Sequence, residues 1–441
     1  MKDVKIMSEY YFNNDKEPRD DILCVDMKSF YASVECVERG LNPLKTMLVV
    51  MSNAESGGGL ALATSPMAKK VLGISNVTRK YDMPYHKDLL IVPPRMNLYI
   101  QKNLVINNIF RQYVSDEDIL IYSIDETFIR ITASKRLFHM NAYEFAVQFQ
   151  REIYHETGLF CTIGIGDNPL LSKLALDNEA KKNKDMIATW RYEDVPNTVW
   201  QIKNMTDFWG INTRTEKALN NKGIYSIKEL ANYDYFSLKA SMGVIGEQLI
   251  AHAWGIDRTK FSDVYTPKSK SIGNSQVLMK DYTDVSEIKI VIREIAEQVA
   301  TRIRSSGKQT SCVRLTIGYS RFDSKRGFNR QTTIQPTNQS KELTAHCMRL
   351  FDKFYNPKMA VRNIAVSYSK LTDDTSLQLN LFDEPTEVIA NKELDEVVDT
   401  VRNRYGFSAL VHASSYMEGS TALKRASLVG GHAGGNEGIN Q

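Results

Sequence analysis

Apolar positions along the 441-residue chain change their spacing several times, and each change marks an element. After a polar leader over 1–20, the unbroken run ILCVD at 22–26 predicts a short buried strand, and SFYASVECVERG behind it predicts a helix that stops at Gly40. TMLVVMS at 46–52 reads as another strand. The stretch 53–95 breaks this pattern with three consecutive glycines, Gly57 to Gly59, and scattered basic residues, so it is expected to form a small insertion on the core. Helical spacing resumes at Met96 and runs to about Val114, and DILIYSIDETFIRIT then alternates and doubles back as a hairpin. NAYEFAVQFQREIYHETG predicts an amphipathic helix, CTIGIG a strand, and NPLLSKLALDNEAKK a helix with Pro169 near its start. Strand, helix, strand, then hairpin, helix, strand predict one mixed sheet with helices on one face.

Between 194 and 257 the strand signals fade. Short helical stretches alternate with loops at Gly210, Gly223, Gly243 and Gly255, which predicts a small all-helical unit. Over 267–371 strands return (SIGNSQVLM, CVRLTIGYS, RQTTIQP, RNIAVSYSKL) with helical stretches at 288–305 and 339–354, a second α+β unit. The tail over 372–441 ends in GGHAGGNEGINQ, where glycine content predicts no order at the very end. The fold class expected is therefore α+β, in several domains.

Composition narrows the class. Hydrophobic (42%), aromatic (10%) and charged (24%) shares are those of a folded globular chain, because disordered chains lack the aromatic surface that offsets ordering entropy. No run approaches the roughly 18 apolar residues of a membrane span, and the start lacks a signal-peptide core, so a cytoplasmic protein with no membrane partner is expected. Five scattered cysteines (Cys24, Cys36, Cys161, Cys312, Cys347) never form CxxC, which argues against a disulfide framework or structural zinc. The formal charge of +4 conceals a segregation: residues 267–371 hold 10 Lys and 9 Arg against 4 Asp and 4 Glu, a net of +11, leaving −7 elsewhere. Such a field suits a polyanion-binding module, the alternative being a solvated basic face.

Three carboxylates stand out. Asp26 closes the first strand, and Asp125 with Glu126 lies at the turn of the hairpin. If the two strands are neighbours, all three meet at one sheet edge, where their repulsion calls for a hard cation such as Mg²⁺ or Mn²⁺. Two such ions could orient an attacking hydroxyl and screen a triphosphate. Taken singly, each acid has a plainer reading, as a helix cap or turn residue. Phe30 and Tyr31 open the next helix; core packing accounts for Phe30, whereas a Tyr31 ring under a sugar would clash with a 2′-hydroxyl and select deoxyribose. Lys69 or Lys70, and Lys181, are candidate triphosphate contacts or solvated helix residues. The glycine run lacks the Gly-Lys-Ser/Thr of a phosphate-wrapping loop. Around Gly210, Ile211 and Asn212, turn amides could hold a DNA backbone phosphate. Gln378, Leu379, Leu381 and Phe382 either continue a strand or form a linear peptide whose apolar anchors enter a partner's pocket.

In combination, DILCVDMKSFYASVE, YSIDETF and TIGIGDNPLLSKLALDNEAKK resemble the palm of Y-family translesion DNA polymerases, most closely the UmuC-like branch of the DNA polymerase V catalytic subunit type. The resemblance implies a right-hand architecture: a mixed-sheet palm at 21–193 with small fingers at 53–95, a helix-hairpin-helix thumb at 194–257, an α+β little finger at 267–371, and a clamp-binding peptide with a C-terminal tail over 372–441. It implies that Asp26, Asp125, Glu126 and the Met27 carbonyl bind two Mg²⁺ ions (Mn²⁺ being an alternative), that Tyr31 beside Phe30 is a sugar gate, and that Lys181 with Lys69 or Lys70 meets the incoming nucleotide. Arg314, Arg321 and Arg330 of the basic module become expected DNA contacts. LQLNLF is similar to the peptide by which bacterial polymerases dock on the β sliding clamp. The activity implied is error-prone, DNA-directed translesion synthesis in DNA repair and the SOS response, with primed template DNA and deoxynucleoside triphosphates as substrates. A UmuD-like dimer and a recombinase filament are further implied partners. Two rivals remain: a non-catalytic DNA-binding or clamp-associated scaffold, and a nucleotidyl cyclase, for which a helix-hairpin-helix unit and a +11 module have no use.

Overall fold

The run ILCVD becomes the central strand of a sheet in the computed structural model, which describes residues 12, 14–52, 59–263, 270–375 and 384–435. The chain divides into two units, Met1–Val264 with Ala433–Gln441, and Tyr265–His432. In the first unit the strands β1 (Ile22–Met27), β2 (Leu48–Ser52), β3 (Leu60–Thr64) and β4 (Leu90–Val92) alternate with helices α1 (Phe30–Val37), α2 (Pro66–Leu72) and α3 (Met96–Phe110). There follow the hairpin β5 (Ile119–Ile121) and β6 (Glu126–Arg130), helices α4 (Ser134–Phe138) and α5 (Ala142–Thr157), then β7 (Cys161–Gly166), α6 (Pro169–Ala175) and β8 (Ile187–Trp190).

The main sheet runs β5-β6-β1-β7-β8 and is mixed, with β7 and β8 parallel and the other pairs antiparallel. One element departs from the sequence expectation: β2 does not join this sheet but forms a separate three-stranded one, β3-β2-β4. Its apolar run Leu48–Met51 is buried, packing on α1 through Leu48 and Val50 and under α2 through Val49 and Met51, and an unbroken apolar strand carries no mark of which sheet claims it. Strands β3 and β8 and the short helix α2 also escaped the apolar pattern. The glycines Gly57 and Gly58 lie outside the described residues.

Local chemistry sets how α6 lies on the sheet. Asn168 caps it by accepting from the Leu171 amide at 2.9 Å, and Pro169 opens it. A Cβ on Gly164 would stand 2.0 Å from the Ser172 carbonyl oxygen, and one on Gly166 would stand 2.2 Å from the Ser172 nitrogen, so the two glycines of CTIGIG let the helix touch the strand directly. Past Ala175 the helix widens into a π turn, Leu176–Ala180, in which the Lys181 amide donates to the Leu176 carbonyl at 3.1 Å.

As expected, 194–257 is helical. It holds α7 (Thr213–Asn220), α8 (Ile227–Ala231), α9 (Tyr235–Met242) and α10 (Val244–Ala253), packed on a core that includes Ile211, Leu219, Leu230 and Ile250. In the second unit β9 (Ser271–Tyr282), β10 (Lys308–Tyr319), β11 (Gly327–Thr337) and β12 (Val361–Asp373) form an antiparallel sheet ordered β11-β10-β12-β9. Helices α11 (Val285–Ser305) and α12 (Ser340–Phe354) bury Ile288, Val291, Ile295 and Val299, together with Leu343, Cys347 and Phe351, at helical spacing against Val313, Leu315, Ile364 and Val366. The tail adds α13 (Pro385–Tyr405), whose Asp399 accepts from Arg304 of α11 at 2.6 Å.

Gly164→Ala is expected to destabilise the first unit by at least about 3 kcal/mol, since backbone lies where the methyl must go. Chemical denaturation that finds less than about 1 kcal/mol would contradict the close helix-strand contact.

Candidate active site

The β1–β6 ladder places Asp26 opposite Glu126, and the Met27 amide donates to the Asp125 carbonyl at 2.9 Å, so strand pairing alone brings the three predicted acids to one sheet edge. A cavity of about 800 Å³ opens there. Asp26, Met27, Phe30, Tyr31, Asp125 and Lys181 border it, and so do Lys69 and Lys70 from α2. Burial and the neighbouring Asp125 push the Asp26 carboxyl above its ordinary value, while Lys181 at 3.1 Å pulls it back.

Glu126 stands apart from its two companions. It is buried, accepts from the Cys24 thiol at 3.1 Å, and pairs with the Lys173 ammonium at 2.8 Å rather than bordering the cavity. Lys173 also reaches Asp177 at 3.0 Å, and Asp177 in turn pairs with Lys181 at 2.8 Å. Four charges thus form a chain, Glu126–Lys173–Asp177–Lys181, ending on Asp26. Lys173 and Asp177 escaped sequence reasoning. Their spacing of four, with Lys181 four further on, was the available signal, because three alternating charges at helical spacing share one face.

The ring of Tyr31 is half-buried, and burial together with Asp125 raises its hydroxyl above the ordinary range. Phe30 is almost wholly buried, in keeping with a packing role. Of the two candidate lysines, Lys69 is the one lowered by desolvation and by Lys181 and raised by Asp26, so it shares the electrostatic field of the acids. Two carboxylates, Asp26 and Asp125, border the same space beside Met27, and such hard oxygen donors fit a divalent cation. Among the described residues no group of three or more His, Cys, Asp or Glu side chains converges as a ready-made metal cage. The departure of Glu126 toward Lys173 is the reason.

The expected DNA contacts scatter. Gly210 (φ 95°) and Asn212 are exposed, but Ile211 is core, and the Asn212 side chain already accepts from the Arg214 and Thr215 amides at 2.9 Å. The later turn at Gly243, which opens α10, has no side-chain cap and carries exposed Val244 and Ile245. In the second unit Arg314 is exposed and bonds Gln331, Arg321 lies over the Phe322 ring at 4.7 Å, and Arg330 lies over the Phe354 ring at 5.2 Å. Arg330 therefore sits on the helix side of the sheet, opposite Leu315, while Arg314 faces away from the helices. Gln378, Leu379, Leu381 and Phe382 lie outside the described residues.

Replacing Lys173 with Ala strands the buried Glu126 without its cation and is expected to cost about 3 to 5 kcal/mol in the presence of chelator. A loss below about 1 kcal/mol in urea unfolding would show that the pair is not a structural counter-charge.

Models of the impB/mucB/samB family match residues 25–177, and those of its C-terminal domain match 269–381. The chain is 43% identical over 416 residues to a Bacillus subtilis (strain 168) protein named for UV-damage repair, UvrX, spanning 94% of this chain and 98% of the relative. It is 36% identical to DNA polymerase IV 2 of the same organism, over 93% of this chain and 98% of that one. Among solved structures, a Y-family DNA polymerase chimera (Dbh-Dpo4(243-245)-Dbh) shares the fold with a TM-score of 0.64 at 18% identity, covering 80% of this chain and 99% of that one. The chain belongs to the impB/mucB/samB family, and through it to the Y-family DNA polymerases.

Proposed function

We propose that this protein is a DNA-directed DNA polymerase that extends a primer 3′-hydroxyl past damaged template bases. The observation that carries the reading is the convergence of Asp26 and Asp125 with Lys69, Lys181 and Tyr31 around one cavity, in a chain of this family. A bound divalent cation would supply charge screening for a triphosphate and acidify the attacking hydroxyl. Asp26, Asp125 and the Met27 carbonyl would hold it, Mg²⁺ by the hardness of the donors, with Glu126 as a further carboxylate for a second ion. Lys181 and Lys69, which border the cavity, would offset charge on phosphate oxygens, and the Tyr31 ring would exclude a 2′-hydroxyl.

The small sheet β3-β2-β4 with its single helix α2 offers little surface to close over a nascent base pair, so shape discrimination should be weak and distorted templates admitted. Low fidelity follows. Low processivity would be relieved by the peptide at Gln378 to Phe382, which raises the local concentration of the enzyme on a sliding clamp rather than changing its chemistry. Damage-induced work in the SOS response, with a UmuD-like dimer and a recombinase filament as helpers, belongs to the same reading. A non-catalytic scaffold would have no need of the lysines facing the acids.

Extension of a primed template carrying an abasic site should fall by orders of magnitude in Asp125→Ala and in Glu126→Ala. Near-native extension by either variant would remove that acid from the mechanism. Replacing Leu381 and Phe382 together by Ala should abolish clamp binding and spare distributive synthesis on short templates, and undiminished clamp binding would refute the docking peptide.

A further inference from the structure

Two pairs of residues, each four apart on its own helix, mesh behind the cavity. Tyr31 and Glu35 share one face of α1, and Arg95 and Tyr99 stand four apart at the start of α3. The rings of Tyr31 and Tyr99 stack, with centroids 4.4 Å apart and planes within 13° of parallel. Phe30 closes the group, its ring 5.8 Å from Tyr31 and 6.4 Å from Tyr99. Tyr31 therefore borders the cavity while one face of its ring rests on Tyr99.

Tyr99 itself cannot turn. It is fully buried, and its hydroxyl donates to Glu35 at 2.7 Å. Glu35 is also fully buried, and it accepts from Arg95 Nε at 3.0 Å, from Arg95 at a second nitrogen at 2.7 Å, and from Arg39. Burial opposes the charge on Glu35, yet the bonds from Arg95, Tyr99 and Arg39 hold its carboxyl below the ordinary range, so it stays an ionised acceptor. Tyr31 has no such anchor: its hydroxyl has no hydrogen-bond partner among the described residues. The stack is what fixes its plane.

We infer that Tyr99, locked through Glu35 and Arg95, is a positioning residue for sugar selection, holding the Tyr31 ring upright at the cavity wall. This rests on the reading of Tyr31 as the sugar gate and goes one step behind it. Steric exclusion is only as strong as the cost of displacing the excluding group, and a ring backed by a fixed second ring resists displacement where a free one swings aside. The deoxynucleotide, which presses on nothing there, should feel the loss far less.

The test uses the full chain on a primed template and compares kcat/KM for dCTP and CTP opposite guanine. Tyr99→Leu removes the stacked ring and should reduce the preference for dCTP by about tenfold, with a much smaller change for dCTP alone. Tyr99→Phe keeps the ring and should keep most of the preference, while Tyr31→Ala should lose it and gain nothing further from adding Tyr99→Leu. Should Tyr99→Leu not fold, Tyr99→Met fills the same space without a ring and replaces it in the comparison. Native sugar preference in the ring-less variant, beside a loss in Tyr31→Ala, overturns the positioning role and leaves the gate standing. Equal losses in Tyr99→Phe and Tyr99→Leu also overturn it. An unchanged preference in Tyr31→Ala sinks the gate, and the inference with it.

Discussion

The antiparallel ladder between β1 and β6 is the constraint from which the site follows. Residues 98 and 100 positions apart in sequence become neighbours because Asp26 pairs with Glu126 and the Met27 amide is bound by the Asp125 carbonyl. Side chains along a strand alternate between faces, so a slip of a single residue would send the acids to the wrong side and put apolar residues in the cavity. Register here is secured by the wholly buried partners on either side, Cys24 against Phe128 and against Gly164, which have no comfortable alternative in water.

Concentrating acids at one edge carries an electrostatic cost, and the chain meets it with lysines from the helix after β7. Lys173 lies deep and answers Glu126, whereas Lys181 lies nearer the opening and answers Asp26, with Asp177 between them. A buried carboxylate without a partner is expensive, so these pairs keep the sheet edge folded.

Much of this was legible in the sequence because the strongest signals are local. The unbroken run ILCVD, the alternating DILIYSIDETFIRIT and the glycine-marked CTIGIG named four neighbouring strands correctly, and the two helices of the second unit began and ended within a few residues of their predicted bounds. What escaped were the long-range choices. Nothing in LVVM reveals whether β2 joins the main sheet or a small one, since burial on both faces erases alternation. The turn of Glu126 toward Lys173 depends on a helix that begins 43 residues after Glu126, at Pro169, whose approach is set by two glycines rather than by charge. The stack of Tyr31 on Tyr99 likewise joins two helices, and nothing in the sequence marks Tyr99 as the partner.

The π turn Leu176–Ala180 inserts one residue of slack between Lys173 and Lys181. Residues beyond it are rotated by roughly 100° from where an unbroken α-helix would place them, and Lys181, the first of these, meets Asp26 at 3.1 Å. This segment therefore acts as a gauge of length. Losing or gaining one amino acid within it would point the outer lysine elsewhere and leave the deeper one untouched.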